Sequence, residues 1–365
     1  MIKRNILDCM ILVGKTPSYY EGEKTYVSTG AVDCNHIDYE RTEPVVYSKR
    51  PSRANLSVMS GDILFAKMCG TKKTLRINDV MAEYLFSTGF CAVRANEAVM
   101  TTDLLYHLLT SEQFLVQKDQ NSSGATQKAI TNAGLKKITL QVPDLKEQQV
   151  LTAELDCMEQ LMEKRRTQIK YFDQLVKSRF MELFGNPITN DRGWDSANLP
   201  DVAEFVLGST PKSSEPDYWD GDVKWITPAE LDDNTFEIYD SVRHITEAGI
   251  KAAGLKAFPA GTVIFSTRAP IGKTAIAGCE MYCNQGFKNF ICGELLNPVY
   301  LFSVLRINKD YFVGLGTGST FKELSKARLE KISISIPPLA LQNKFEAFYR
   351  QSDKSKHLYG LGVAA

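Results

Sequence analysis

The segment Thr267-Arg-Ala-Pro-Ile-Gly-Lys-Thr274 ends in the Gly-Lys-Thr of a nucleotide-binding loop. Such a loop cradles phosphates on backbone amides and needs a glycine five residues before the Gly-Lys pair for its tight turn. Position 267 is threonine, so the phosphate-loop reading fails, and what remains is charge. Gly261-Thr-Val-Ile-Phe265 leads into Arg268 and Lys273 with no acid between positions 261 and 278. Gly61-Asp-Ile-Leu-Phe65 leads in the same way into Lys67, Lys72, Lys73 and Arg76. Cations at a turn can neutralise nucleic-acid phosphates, and an arginine can pair bidentately with guanine. Thr126 with Lys128, and Thr320 with Lys322, each follow a glycine in a turn-prone stretch. A hydroxyl, free amides and a lysine together suit a phosphate. Gln285 and Lys288 flank Gly286-Phe287, where glutamine can read adenine. Lys212 and Tyr218, with Trp219 and Trp225, complete a candidate DNA-facing set in which Trp225 better suits a core. Taken singly, a solvated loop or a capped turn accounts for each of these residues, so their arrangement has to carry the argument.

No catalytic grouping emerges. The histidines at 36, 107, 244 and 357 are isolated from cysteine and acidic clusters. Asn186-Pro187-Ile188 lacks the aromatic that would stack a flipped base in an adenine methyltransferase. Cys279 and Cys283 have no histidine nearby, so no metal site is expected. A non-catalytic binding protein is the expectation. An enzyme with duplicated domains would instead require a clustered catalytic pocket.

The elements holding these residues occur twice. Ser123-Gly-Ala-Thr-Gln-Lys128 recurs as Thr317-Gly-Ser-Thr-Phe-Lys322, and the register persists at an offset of 194 through Leu135 and Leu329, Pro143 and Pro337, and Gln148 and Gln342. Val13-Gly-Lys-Thr-Pro17 recurs as Leu207-Gly-Ser-Thr-Pro211 at the same offset, and the Gly61 block recurs at Gly261, 200 residues on. Conserved order at near-constant offset means two homologous domains, since the period is far too long for a solenoid. Their loops differ, as Lys67-Met-Cys-Gly does from Thr267-Arg-Ala-Pro, so the two halves are expected to read different sequences.

With 365 residues, 44% hydrophobic and 24% charged, the chain has room for two globular domains. Its net charge of zero restricts any polyanion site to local patches. Asp8 interrupts the apolar start and no run reaches membrane-span length, so neither secretion nor membrane insertion is expected. Eight scattered cysteines suit a reducing, cytoplasmic setting.

Residues 1–143 and 187–337 read as mixed α/β domains of short strands and turns, with one helix expected near Thr102 to Gln120. Residues 144–186 form a long central helix. Lys146 to Phe184 contains neither proline nor glycine, and Leu151, Leu155, Met158, Met162, Ile169, Phe172, Val176 and Leu183 mark a heptad-like seam. Residues 338–365 carry a shorter helix in which Phe345 and Phe348 continue an apolar stripe, followed by a glycine-containing tail. Two such helices are expected to pack antiparallel as a coiled-coil spacer, relating the domains by a pseudo-two-fold axis.

This layout resembles the DNA-specificity subunit of type I restriction-modification systems. Local patterns agree: Gly208-Ser-Thr-Pro211 with Tyr218-Trp-Asp-Gly-Asp222 and Trp225-Ile-Thr227, Gly261-Thr-Val-Ile-Phe-Ser-Thr-Arg268 with Ile271-Gly-Lys273, Asn284-Gln-Gly-Phe287, Ile336-Pro-Pro-Leu339, and the link Phe184-Gly-Asn-Pro to Trp194. The resemblance implies two target recognition domains, each reading half of a split double-stranded DNA site, with the helices as ruler. It also implies docking of two modification subunits that methylate adenine with S-adenosylmethionine, then of ATP- and Mg-dependent restriction subunits, with no cofactor on this chain. The chain departs from the family in its short lead-in and shorter second helix. The second reading is therefore a truncated, stand-alone DNA-binding or anti-restriction relative that docks no methyltransferase.

Overall fold

The computed structural model describes residues 1–268, 270–318 and 322–360. Thr320, one of the expected hydroxyls, lies outside the described residues. The chain divides into two compact units, Met1–Leu161 and Met162–Ala365, and the helix Leu145–Phe184 contributes to both.

In the first unit, the apolar run Ile63–Ala66 is a strand buried on both faces. Ile63 and Phe65 point into one core with Val93, Leu105 and Phe114, while Leu64 and Ala66 point into another with Leu75, Phe86 and Phe90. A strand between two cores needs no polar alternation. It sits third in an antiparallel sheet ordered Met10–Val13, Phe90–Ala95, Ile63–Ala66, Thr74–Arg76. A second sheet runs Glu43–Val46, Glu23–Val27, Leu85–Ser87, Ala54–Leu56. Ile2–Asn5 pairs antiparallel with Thr139–Val142, closing the unit by its ends.

The second unit repeats this order with Ala203–Leu207, Lys288–Cys292, Val263–Phe265 and Thr274–Ala277, and adds Glu237–Ile238 as a fifth strand. Its other sheet has three strands, Arg243–Ile245, Trp219–Ile226 and Tyr282–Cys283. Ser196–Asn198 pairs with Ser333–Ser335, as the terminal strands do in the first unit. Thus the duplicated sequence folds as a duplicated topology. The single helix expected over Thr102 to Gln120 is instead two, Thr102–Thr110 and Glu112–Gln120. Ser111 stays extended between them, donating to Leu108 O and accepting from Phe114 N. That exchange is the cap chemistry for which serine is suited.

The central helix spans 40 residues, or about 60 Å at the standard rise. Asp144 caps its first turn by accepting from the amides of Lys146 and Glu147. Gly185 ends it at φ +69°, a conformation that disfavours side chains.

The two repeats join their following helices with the same residue. Gln148 is fully buried, donates to Val99 O (2.8 Å) and Pro143 O (3.0 Å), and accepts from Thr101 N (2.9 Å). Gln342, 194 positions later, donates to Leu295 O (3.0 Å) and Pro337 O (2.7 Å) and accepts from Asn297 N (2.8 Å). Removing either amide would orphan three backbone groups, and a buried unsatisfied group costs about 1–3 kcal/mol. A glutamine three residues into each helix therefore sets the angle at which the helix leaves its domain.

The expected seam needs correction in the first unit. Leu155 is 36% and Met158 61% exposed, and Leu151 is half-buried. The inward face is polar: Gln148, Thr152, Asp156 and Glu159. This face is chosen by what the domain offers it. Asp156 takes Arg76 (2.9 Å) and His107 (2.8 Å), and Glu159 takes Asn35 and Tyr106, each at 2.9 Å. Burial, the largest influence, pushes the Tyr106 hydroxyl up to about 12, so it donates as a neutral phenol. His107, Asp156 and Glu159 bring ligand-type atoms within 4.8 Å of one another, but the Arg76 guanidinium already supplies the positive charge there.

Burial opposes ionisation of Asp156, yet hydrogen bonds and charge from His107 and Arg76 hold its carboxyl below the ordinary value. A depressed carboxyl contributes stability above its unfolded pKa of about 4 and loses it as pH falls through the folded value. Amide-exchange protection over residues 145–161, corrected for intrinsic rates, is expected to drop in that acid window in the wild type. The drop should be absent in Asp156→Asn, and an unchanged acid profile in that variant would remove Asp156 from the account.

In the second unit the helix buries Phe180 and Phe184 completely, with Val176, Met181 and Leu183 packed beside them. Helix Leu339–Gly360 pairs antiparallel with this stretch: Phe345 meets Phe180 and Phe184, while Lys356 reaches Asp173 at 2.8 Å. Phe348 and Tyr349 join the same cluster. Met162, Ile169 and Phe172 are half-buried.

Candidate nucleic-acid interface

The segments singled out by charge are far apart in sequence and meet at one rim of the main sheet in each unit. In the first unit, Lys67 N donates to Gly89 O, Ile130 N to Lys67 O (both 2.9 Å), and Cys69 N to Lys128 O (3.0 Å). The turn 67–73 is thereby stitched to the loop carrying Thr126 and Lys128. In the second unit, Thr267 N donates to Gly286 O, Leu324 N donates to Thr267 O, and Arg268 bridges Glu323. The Met68–Ala129 bridge and the Arg268–Glu323 bridge occupy equivalent places. The backbone frame of the rim is common to both repeats, and the side chains on it are not.

Two further motifs reach the second rim. Ser209 N donates to Cys283 O at 3.1 Å, and the Thr210 hydroxyl meets Gln285. Gly208 lies so close to Asn284 O that no side chain fits there. The Trp219 and Trp225 indoles hold this loop from beneath by donating to Lys212 O (3.1 Å) and Ser209 O (3.0 Å).

Lys72, Thr126, Lys128, Lys212, Gln285 and Lys322 are exposed, and Lys67 and Arg268 are half-buried. Four expectations need correction. Lys288 is buried, with its ammonium 2.8 Å from Thr267 Oγ1 and 3.4 Å from Glu323. Burial draws it below its ordinary value against the pull of Glu323, and it cannot reach a base edge without leaving these partners. Lys73 and Lys273 form a repeated pair of internal clamps. Their ammonium groups donate to Thr29 O (2.8 Å) and Pro228 O (2.7 Å), each tying the sheet to a short 3-10 turn. Tyr218 does not front an aromatic surface either. It packs on a cluster in which Trp219 and Trp225 meet edge to face at 5.1 Å, with Arg243 3.6 Å above Trp219.

Two features were missed. Lys118 is 1% exposed and supports the first rim from below, donating to Met68 O (2.8 Å) and Thr71 O (3.2 Å) beside Asp119 at 2.9 Å. Its only signal is a lysine on the apolar side of a helix. The second is the basic stretch Tyr47–Arg53, whose signal was three cations in seven residues. Position 91, equivalent to Lys288 by strand pairing, is a cysteine whose thiol burial pushes up to about 11 while Lys67 pulls the other way. At this strand position, then, one repeat has a thiol and the other a lysine.

Among the described residues, no helix is long and apolar enough to cross a membrane. Comparison with known proteins gives a consistent answer. The sequence profile of the type I restriction modification DNA specificity domain matches twice, over residues 18–171 and 191–355. The MjaIX specificity subunit of a type I restriction enzyme from Methanocaldococcus jannaschii is 37% identical over 157 residues, covering 42% of this chain and 36% of that subunit. The HindI specificity subunit from Haemophilus influenzae is 20% identical over 365 residues, covering 79% of each. The fold is similar to that of a type I restriction-modification S subunit from M. genitalium, with a TM-score of 0.56 at 14% identity, covering all of this chain and 92% of that one. A chain from a structure of type I complex assembly and conformational transition gives 0.55 at 21% identity, covering all of this chain and 95% of that one. With two matched repeats spanning most of its length, this chain belongs to the type I restriction-modification DNA specificity family.

Proposed function

We propose that this chain is the non-catalytic, sequence-reading subunit of a type I restriction-modification assembly. Each unit reads one half of an asymmetric, bipartite site on double-stranded DNA. The observation that carries this is the duplicated rim, with one backbone frame and two different sets of side chains. Phosphate contacts position and base contacts specify. A shared frame with divergent side chains suits two half-sites of different sequence. Lys67, Lys72, Thr126 and Lys128 on the first rim, and Lys212, Arg268, Gln285 and Lys322 on the second, are the proposed contacts, with Thr320 added on its sequence match to Thr126 alone. The helices serve as the docking surface for two modification subunits and, in the full complex, restriction subunits. S-adenosylmethionine, ATP and Mg2+ belong to those partners, and the place of action is the cytoplasm, where the DNA is.

The test is single-molecule methylome sequencing of a host expressing a cognate modification subunit, with and without this chain. A bipartite adenine-methylation motif that requires the chain is expected. No new motif, with the modification subunit soluble, would overturn the reading in favour of a stand-alone relative. A palindromic motif with identical half-sites would overturn the asymmetry.

A further inference from the structure

Among the described residues, the first rim carries an element that the second lacks. Tyr47-Ser-Lys-Arg-Pro-Ser-Arg53 leads into strand Ala54–Leu56, the fourth strand of a sheet that has only three in the second unit. The segment is held in shape by Arg50, which donates to Tyr47 O (2.7 Å) and Asn55 (3.3 Å) and lies 4.0 Å over the Tyr47 ring. Tyr19 and Tyr20 pack edge-on against Tyr47 at 5.3 and 5.4 Å. Lys49 and Arg53 are left exposed. A chain of backbone contacts ties the segment to the rim. Thr88 N donates to Arg53 O, Lys67 N donates to the adjacent Gly89 O, and Lys67 O accepts from Ile130 next to Lys128. Lys15 joins from the other side, exchanging backbone hydrogen bonds with Ser57.

The acids differ as well. Among the described residues, no carboxylate pairs with Lys15, Lys49, Arg53, Lys67, Lys72 or Lys128. On the second rim Glu323 lies 3.8 Å from Arg268 and 3.4 Å from Lys288, so its two central cations share one carboxylate. The equivalent of Glu323 on the first rim is Ala129.

We infer that Tyr47–Arg53 is a phosphate-binding element, and that the first unit supplies most of the salt-sensitive affinity for duplex DNA. The second unit adds discrimination with weaker electrostatic anchoring, Lys212 and Lys322 being its exposed cations without a carboxylate partner among the described residues. The inference rests on the DNA-binding reading above. Each neutralised phosphate contributes about 0.9 to the slope of log affinity against log salt.

The experiment compares full chains carrying K49Q/R53Q or R268Q, by fluorescence anisotropy on a labelled mixed-sequence duplex across a salt titration. Lys49 and Arg53 are exposed and Arg268 is half-buried, and circular dichroism checks that each variant folds. The pair is expected to flatten the slope by roughly 2, and R268Q, whose charge Glu323 already meets, by well under the roughly 0.9 of a free phosphate contact. An unchanged slope in K49Q/R53Q, or a change from R268Q as large per charge as that from the pair, would overturn the inference while leaving DNA binding intact. Failure of the unsubstituted chain to bind the duplex at low salt would overturn the DNA-binding reading itself, and this inference with it.

Discussion

Replacing Phe345 with alanine is expected to destabilise the second unit by about 3–5 kcal/mol. The side chain is fully buried, with ring centroids 5.3 Å from Phe180 and 5.6 Å from Phe184. Behind them Tyr300 stacks on Phe180 at 5.5 Å and hydrogen-bonds Ser335 O at 2.8 Å. Truncation opens a cavity that three large rings, two on the central helix and one on helix Pro298–Ile307, cannot collapse to fill. The second helix enters this cluster chiefly through Phe345, so the loss should also loosen the antiparallel pairing that Lys356 and Asp173 continue. All three tryptophans, at 194, 219 and 225, lie in the second unit, so their fluorescence in a denaturant titration isolates its unfolding. A shift below about 1 kcal/mol, the size of an ordinary substitution, would contradict the assignment of Phe345 to the core.

Replacing Lys118 with methionine is expected to cost the first unit about 2–3 kcal/mol, because the aliphatic bulk remains but the carbonyls of Met68 and Thr71 lose their buried donor. Asp119 keeps Gly70 N at 3.0 Å through Oδ2, but its Oδ1, buried 2.9 Å from the ammonium, would lose its counter-charge. The consequence for function should exceed that for stability. The turn bearing Lys67 and Lys72 would lose its support, and affinity for duplex DNA should fall with it. Lys128→Gln is the contrasting variant. Its side chain is exposed, so binding should weaken with no change in unfolding. Amide exchange over residues 67–73, measured alongside anisotropy, separates the cases. Lys118→Met with native protection of that turn and native affinity would dispose of the supporting role.

The sequence alone was enough to find the duplication, the long uninterrupted helix and its glycine stop, the rim segments and their charge, and the family. These are properties of order, spacing and local propensity, which survive without knowledge of what touches what. The Thr102 to Gln120 region shows the limit of that reading. Its helical character was legible, but its division at Ser111 depended on one hydroxyl bonding the backbone on both sides.

The tertiary structure alone decided which polar residues face inward. Lys73, Lys273 and Lys288 read from sequence like Lys72 and Lys322, yet three of these lysines are held inside by acceptors distant in the chain, while Lys72 and Lys322 are exposed. The helix beside the first domain buries Gln148 and Thr152, turns the half-buried Asp156 toward Arg76 and leaves Met158 in solvent, against its hydrophobic pattern. An apolar residue gains from almost any covering, so its spacing predicts its burial. A polar residue is stable inside only where a partner awaits it. Here the partners are Val99 O, Arg76, Thr29 O and Pro228 O, placed tens of residues away by the fold.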